Sequence, residues 1–248
     1  NNLTIRGVGG QVRLLAAGRS AARKAIWVIR GNNTRVENIT FSGARVRDRN
    51  GAGIRLEGAG LILENCEFRD NQMGILTGAN PASDVVIRNS RFVGNVVEGS
   101  RSLGHNVYVG NINSLTMINS HVEGAVRGHN VKSRARLTTL IGNRIIDGET
   151  GASSYLVDLA AGGIAILRDN YLEQGTRAEN YTLVSYGAER LLHSENRLLV
   201  VNNRFVNRHS RGTFIYNHTD SPAEVTGNIF EGSGTVLRGP GIVTPPSP

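Results

Sequence analysis

Two phrases in this chain place groups able to carry protons and charge at matching positions. "GHNVYVG" starts at Gly104 and "GHNVKSR" at Gly128. The first offers His105, Asn106 and Tyr108; the second offers His129, Asn130, Lys132 and Arg134. Lys and Arg are cationic donors that stabilise developing negative charge. His, Lys and Tyr exchange protons with a reacting group. The set suits proton transfer beside an anionic group, with Lys132, Arg134, His129, Tyr155 and Tyr108 in the reacting roles. His105, Asn106, Asn130, Asp158, Tyr186 and His218 are expected to contact the bound molecule. Each also has a plainer reading. A Lys and an Arg two residues apart on a strand often make a solvated face, and a His after Gly often serves the turn itself.

Such residues act together only if the fold stacks them. A recurring phrase says that it does: "VENITFSG" at Asn38, "LENCEFRD" at Asn65, "IRNSRFVG" at Asn89 and "MINSHVEG" at Asn119. It continues at Asn143, Asn170, Asn203 and Asn228, with spacings of 27, 24, 30, 24, 27, 33 and 25 residues. Short alternating runs bounded by Gly, Asn and Asp read as strands. No unit of this size buries its own apolar face, but stacked units do. The expected fold is all-β: a parallel β-helix of roughly nine coils, about 4.8 Å apart, in a rod about 45 Å long. The recurring Asn is expected to take the left-handed backbone at a bend and to stack its amides in a ladder.

A second strand column includes "GIRLE", "GILTG", "NVYVG", "NVKSR", "YLVDL", "TLVSY" and "TFIYN". With Val107 and Val131 inward, alternation turns Asn106, Tyr108, Asn130, Lys132 and Arg134 outward. If Leu156 is inward, Tyr155 is outward and Asp158 buried. A slip of one residue reverses that assignment and brings Asp158 out, one or two coils from Lys132.

The repeat, with "NGAGIRLEG" and "DNQMGILTG", resembles the right-handed parallel β-helix proteins of the pectin-lyase-like superfamily. That resemblance implies a carbohydrate-active protein, with lyases, hydrolases, epimerases and phage tailspikes as relatives. On this view the patch would carry out β-elimination on a uronate-containing polysaccharide. Lys132 and Arg134 would neutralise the carboxylate, His129, Lys132 or Tyr155 would take the proton, and Tyr108 or Tyr155 would return one. "VKSRARLTTLIGN" is similar to the Lys-Ser phrase of alginate lyases and chondroitinase B, which would make Lys132 the base. The acidic calcium ligands of that family are replaced here by Gly128, His129 and Asn130, so no metal or cofactor is expected. The alternatives are a non-catalytic binding or structural module, and a glycoside hydrolase pairing Asp158 with Glu179 or Glu57.

Composition fits these expectations. Lys plus Arg number 28 and Asp plus Glu 20 in 248 residues, a formal charge of +8. A surplus of this kind favours a polyanionic partner. An acidic polysaccharide is expected, with no nucleic acid and no membrane insertion, in a secreted or periplasmic protein whose signal peptide has been removed. "NNLTIRG" reads as the middle of a unit, so the natural chain is expected to extend upstream. One β-helix domain is expected over 1–238, with a Pro-rich tail over 239–248. Cys66, the single cysteine, is read as a small core group. The loops near 175–180 and 187–196 should wall a groove, which adds Glu179, Glu189, His193 and Glu195 as secondary candidates.

Overall fold

The computed structural model describes residues 2–97, 99 and 104–246, and none of these is helical. Among the described residues every strand pairs in parallel with its neighbours on adjacent coils, in three sheets of ten, nine and nine strands. One coil shows the plan: Leu61–Glu64 lies in the first sheet, Glu67–Arg69 in the second and Met73–Thr77 in the third. The core is the prism these sheets enclose. In the first sheet Val36, Leu63, Ile87, Met117 and Leu140 lie one above another. In the second, Phe41, Phe68 and Phe92 stack nearly parallel, with ring centres 5.0 and 4.8 Å apart. In the third the column is Ile54, Ile75, Val107, Val131, Val157 and Val184. Like stacks on like because parallel register brings equivalent positions to strand spacing. Cys66 is buried as expected, and desolvation pushes its thiol up to about 11.

The recurring Asn divides into two columns, not one. The left-handed position is held by Asn38, Asn65, Asn89 and Asn119, then by Gly142, Asp169, Asn202 and Gly227. The residue after each bend leads into the next strand and turns inward. There Ser90, Ser120, Asn143, Asn170, Asn203 and Asn228 form the ladder. Each side-chain oxygen accepts the backbone N–H of the ladder residue one coil earlier, at 2.8–3.1 Å, from Cys66 N–H to Ser90 through to Asn203 N–H to Asn228. The asparagines also donate Nδ2 to the next Oδ1, at 3.0 Å from Asn143 to Asn170 and 2.8 Å from Asn170 to Asn203. One residue cannot do both jobs, because a left-handed side chain points away from the core. Asn65, Asn89 and Asn119 are accordingly exposed, while Asn143 and Asn203 are buried.

A second ladder lies where the second sheet turns into the third. Asn71 donates to Asn95, Asn95 to Asn106 and Asn106 to Asn130, at 2.8–2.9 Å. The expected tail also needs correcting: Gly241–Thr244 is the last strand of the first sheet, paired with Ala223–Thr226. Residues 247 and 248 of that tail lie outside the described residues.

Replacing Asn143 with Ala should cost about 3 kcal/mol, because the buried Ser120 N–H, Met117 carbonyl and Asn170 carboxamide each lose a partner. Asn119→Gly should change stability by less than about 1 kcal/mol, since glycine takes the left-handed bend without strain. Urea unfolding of both variants measures the difference between the two columns.

Candidate functional site

The repeated Gly-His-Asn has a structural reason at each position. A Cβ on Gly128 would sit 1.7 Å from the Gly104 carbonyl oxygen, so only glycine lets the coils meet there. Asn106 and Asn130 are fully buried rungs of the second ladder. They were expected to contact a ligand. They face inward instead, because the ladder takes the residue just before the strand.

His105 and His129 stack with ring centres 5.0 Å apart, on the same side of the solenoid as expected. Tyr108 continues the stack at 5.4 Å from His105, and Tyr155 at 5.2 Å from His129. His105 Nδ1 accepts the N–H of His129 at 2.9 Å, and His129 Nδ1 accepts the N–H of Tyr155 at 3.1 Å. A neutral imidazole has one acceptor nitrogen, so Nε2 carries the proton in both rings. Burial, with the nearby cations Lys132 and Arg134, lowers His105 to about 3; burial, with His105 and the same cations, lowers His129 to about 2. Neither ring has a free lone pair, and the role of base expected of His129 does not fit this geometry.

Strand Val131–Ser133 lies between Val107–Val109 and Val157–Leu159. The register aligns Tyr108, Lys132, Asp158, Ser185 and Tyr216 in one outward column of the third sheet. The frame at "YLVDL" is therefore the slipped one: Val157 and Leu159 are in the core, and Asp158 stands beside Lys132. The same register turns Tyr186 into the core opposite Leu159, where its hydroxyl donates to the Gly163 carbonyl at 2.5 Å. Tyr186 cannot touch a ligand, contrary to expectation. His218 is exposed and stacks on Tyr216.

The charged centre is compact. Lys132 Nζ donates to Asp158 Oδ2 at 2.7 Å and to Glu189 Oε1 at 2.9 Å. His129 Nε2 is 3.3 Å from the same Asp158 oxygen. Arg134 grips both oxygens of Glu189, with Nε 2.9 Å from Oε2 and Nη2 2.9 Å from Oε1, and its Nη1 donates to the Tyr108 hydroxyl. Burial alone would lower the Lys132 ammonium, but the two carboxylates outweigh it and leave it above its ordinary value. Burial raises Asp158 despite Lys132, and burial raises the Tyr155 phenol. Burial would raise Glu189 as well; its hydrogen bonds to Lys132 and Arg134 reverse that and hold it below the usual range. Asp158 Oδ1 and Ser185 Oγ are buried with no hydrogen-bond partner.

Glu189 sits on the 187–196 loop, which His193 also anchors through the Arg134 carbonyl at 3.1 Å. Its place over both cations is set by that loop's path, which no repeat signals. Of the carboxylates expected to pair with Asp158, Glu57 instead binds Lys24 and Arg30, and Glu179 is exposed. Glu189 is the one that shares a cation with Asp158. Among the described residues no group of three His, Cys, Asp or Glu is placed to hold a metal ion, and no helix is long and apolar enough to cross a membrane.

Fold and site together define a parallel β-solenoid bearing a polar, charged column on one sheet. Residues 19–145 match the family model described as right-handed beta helix region, and the chain belongs to that family. No curated protein and no solved structure matches it.

A histidine lowered by folding favours the neutral form, so its contribution is complete above the ordinary imidazole pKa of about 6.5 and is lost as pH falls toward the lowered value. Unfolding free energy should therefore drop between pH 7 and pH 5, with each ring adding up to about 1.4 kcal/mol per pH unit below about pH 6. His129→Gln should flatten that slope in urea titrations run across the range. An unchanged slope would mean that the ring titrates freely.

Proposed function

We propose that the chain acts on an acidic, uronate-containing polysaccharide laid along the outward column of the third sheet, and cleaves it by β-elimination. The observation that carries this reading is the carboxylate of Glu189, held in two-pronged fashion by Arg134 and capped by Lys132. A fork of this kind matches a planar carboxylate closely. A sugar carboxylate that displaces Glu189 meets two cations, and its negative charge no longer opposes loss of the adjacent C5 proton.

Lys132 is held in its charged form and serves as an electrophile, not a base. Tyr108 is tied to Arg134 and positions it. Asp158 has one oxygen fixed by Lys132 and His129 and one with free lone pairs, and burial makes it more basic than an ordinary carboxylate. Once the sugar carboxylate has displaced Glu189 and so uncovered it, Asp158 Oδ1 takes the C5 proton, the C4–C5 double bond forms as the C4–O bond breaks, and the Tyr155 phenol protonates the leaving oxygen. His129 orients Asp158. Export to the cell exterior or periplasm suits such a substrate.

One observation favours a binding module: the chain's own carboxylates already satisfy both cations. Incubation with alginate, pectate, hyaluronan and chondroitin separates the readings. Elimination yields an unsaturated product that absorbs in the ultraviolet. New reducing ends without absorbance mean hydrolysis, and binding with neither signal means a module. Asp158→Asn should lower turnover on the order of 10²–10⁴-fold while leaving binding intact. Lys132→Ala should abolish turnover and weaken binding. Full activity in Asp158→Asn overturns the assignment of the base.

A further inference from the structure

Beyond Asp158 the outward column continues through Ser185 to Tyr216 and then Arg238. Beside these residues opens a cavity of about 380 Å³, whose walls include Tyr155, Tyr181, Arg211, Tyr216, His218 and Arg238. Tyr155 belongs both to this cavity and to the ring stack on His129, so the cavity adjoins the charged centre.

Two features make the cavity more than a gap between side chains. The first is that its cations are held in place. Arg238 lies over the Tyr216 ring at 4.5 Å and Arg211 over the Tyr181 ring at 4.0 Å. His218 stacks on Tyr216, and Tyr181 is braced by His209. A guanidinium stacked on an aromatic face loses freedom without losing its hydrogen-bonding edge. The second is that neither arginine forms an ion pair among the described residues. Arg197, Arg204 and Arg208 are paired with Glu224, Glu231 and Glu173, as is common on this surface. Partial burial and Arg238 together lower His218.

We propose that this cavity is a second anion-binding subsite, which takes a carboxylate- or sulfate-bearing sugar of the same polysaccharide through Arg211 and Arg238. The proposal rests on the polysaccharide reading above. Tyr216 lies three strands beyond Lys132, so the two cationic sites are roughly 14 Å apart along the axis. A monosaccharide spans one site only. An oligosaccharide spans both, and its second anchorage sets both its direction and its minimum length.

Calorimetry and NMR on the full chain test this with free galacturonate, a long oligogalacturonate and a sulfated chondroitin oligosaccharide. The ring protons of His218 report on the cavity. The oligosaccharide that binds should shift them, and the paired change Arg211→Gln with Arg238→Gln should remove that shift and weaken binding about 10–100-fold. Circular dichroism checks that this variant remains folded. Arg134→Ala leaves the cavity intact and should preserve the His218 shift at higher ligand concentration. A His218 shift that survives in the double-Gln variant, or binding unchanged by it, overturns the subsite and leaves the Lys132–Arg134 reading standing. A His218 shift in wild type and Arg134→Ala that only the double-Gln variant loses, with affinity unaffected by Arg134→Ala, keeps the subsite and overturns the reading at Lys132. No shift with any probe overturns the subsite. A single-stranded oligonucleotide that binds the cavity as tightly as the sugars overturns its assignment to a saccharide.

Discussion

Parallel strands hydrogen-bond only to the coils above and below, so every strand residue among those described is placed by its neighbours along the axis. That one constraint sets the spacing of the core columns, the ladders and the site alike. It also requires a buried polar group to find its partner on its own coil or on the coils beside it. The two ladders meet this demand by passing hydrogen bonds from rung to rung, so that buried amides at the bends never lack an acceptor.

The site uses the same device on the outside. His105 and His129 are stacked at coil spacing, and each takes the backbone N–H of the next coil. They behave as an outer ladder made of imidazoles. This ladder holds Tyr108 and Tyr155 at its two ends and sets His129 against Asp158. The histidines thus have a structural role in the turn. They stiffen the floor on which Lys132, Asp158 and Arg134 are arranged.

Charge in the site is balanced on a loop. Asp158 and Lys132 come from adjacent strands and are fixed by register. Glu189 comes from outside the repeat and is half-exposed, so solvent screens its hold on the same ammonium more than that of Asp158. A buried ion pair and a half-exposed one are thereby combined on one ammonium. The basic surplus of the whole chain adds a long-range attraction for a polyanion.

Sequence alone determined the solenoid, because a period of 24 to 33 residues with short alternating strands has no other way to bury its apolar positions. It also determined that His105 stands over His129 and Tyr108 over Lys132, since both follow the same phrase at the same offset. It did not separate the bend asparagines from the ladder asparagines, which differ by one position and by the direction of the side chain. Nor did it settle whether Asp158 or Leu159 faces outward, because Leu156 and Val157 are adjacent and both apolar, and strict alternation can bury only one of them. Only the hydrogen-bonded register of Val157–Leu159 against Val131–Ser133 decided that, and it sent Tyr186 into the core by the same stroke. The grip of Arg134 on Glu189 was likewise a matter for tertiary structure. The path of a loop outside the repeat depends on packing that no periodicity encodes.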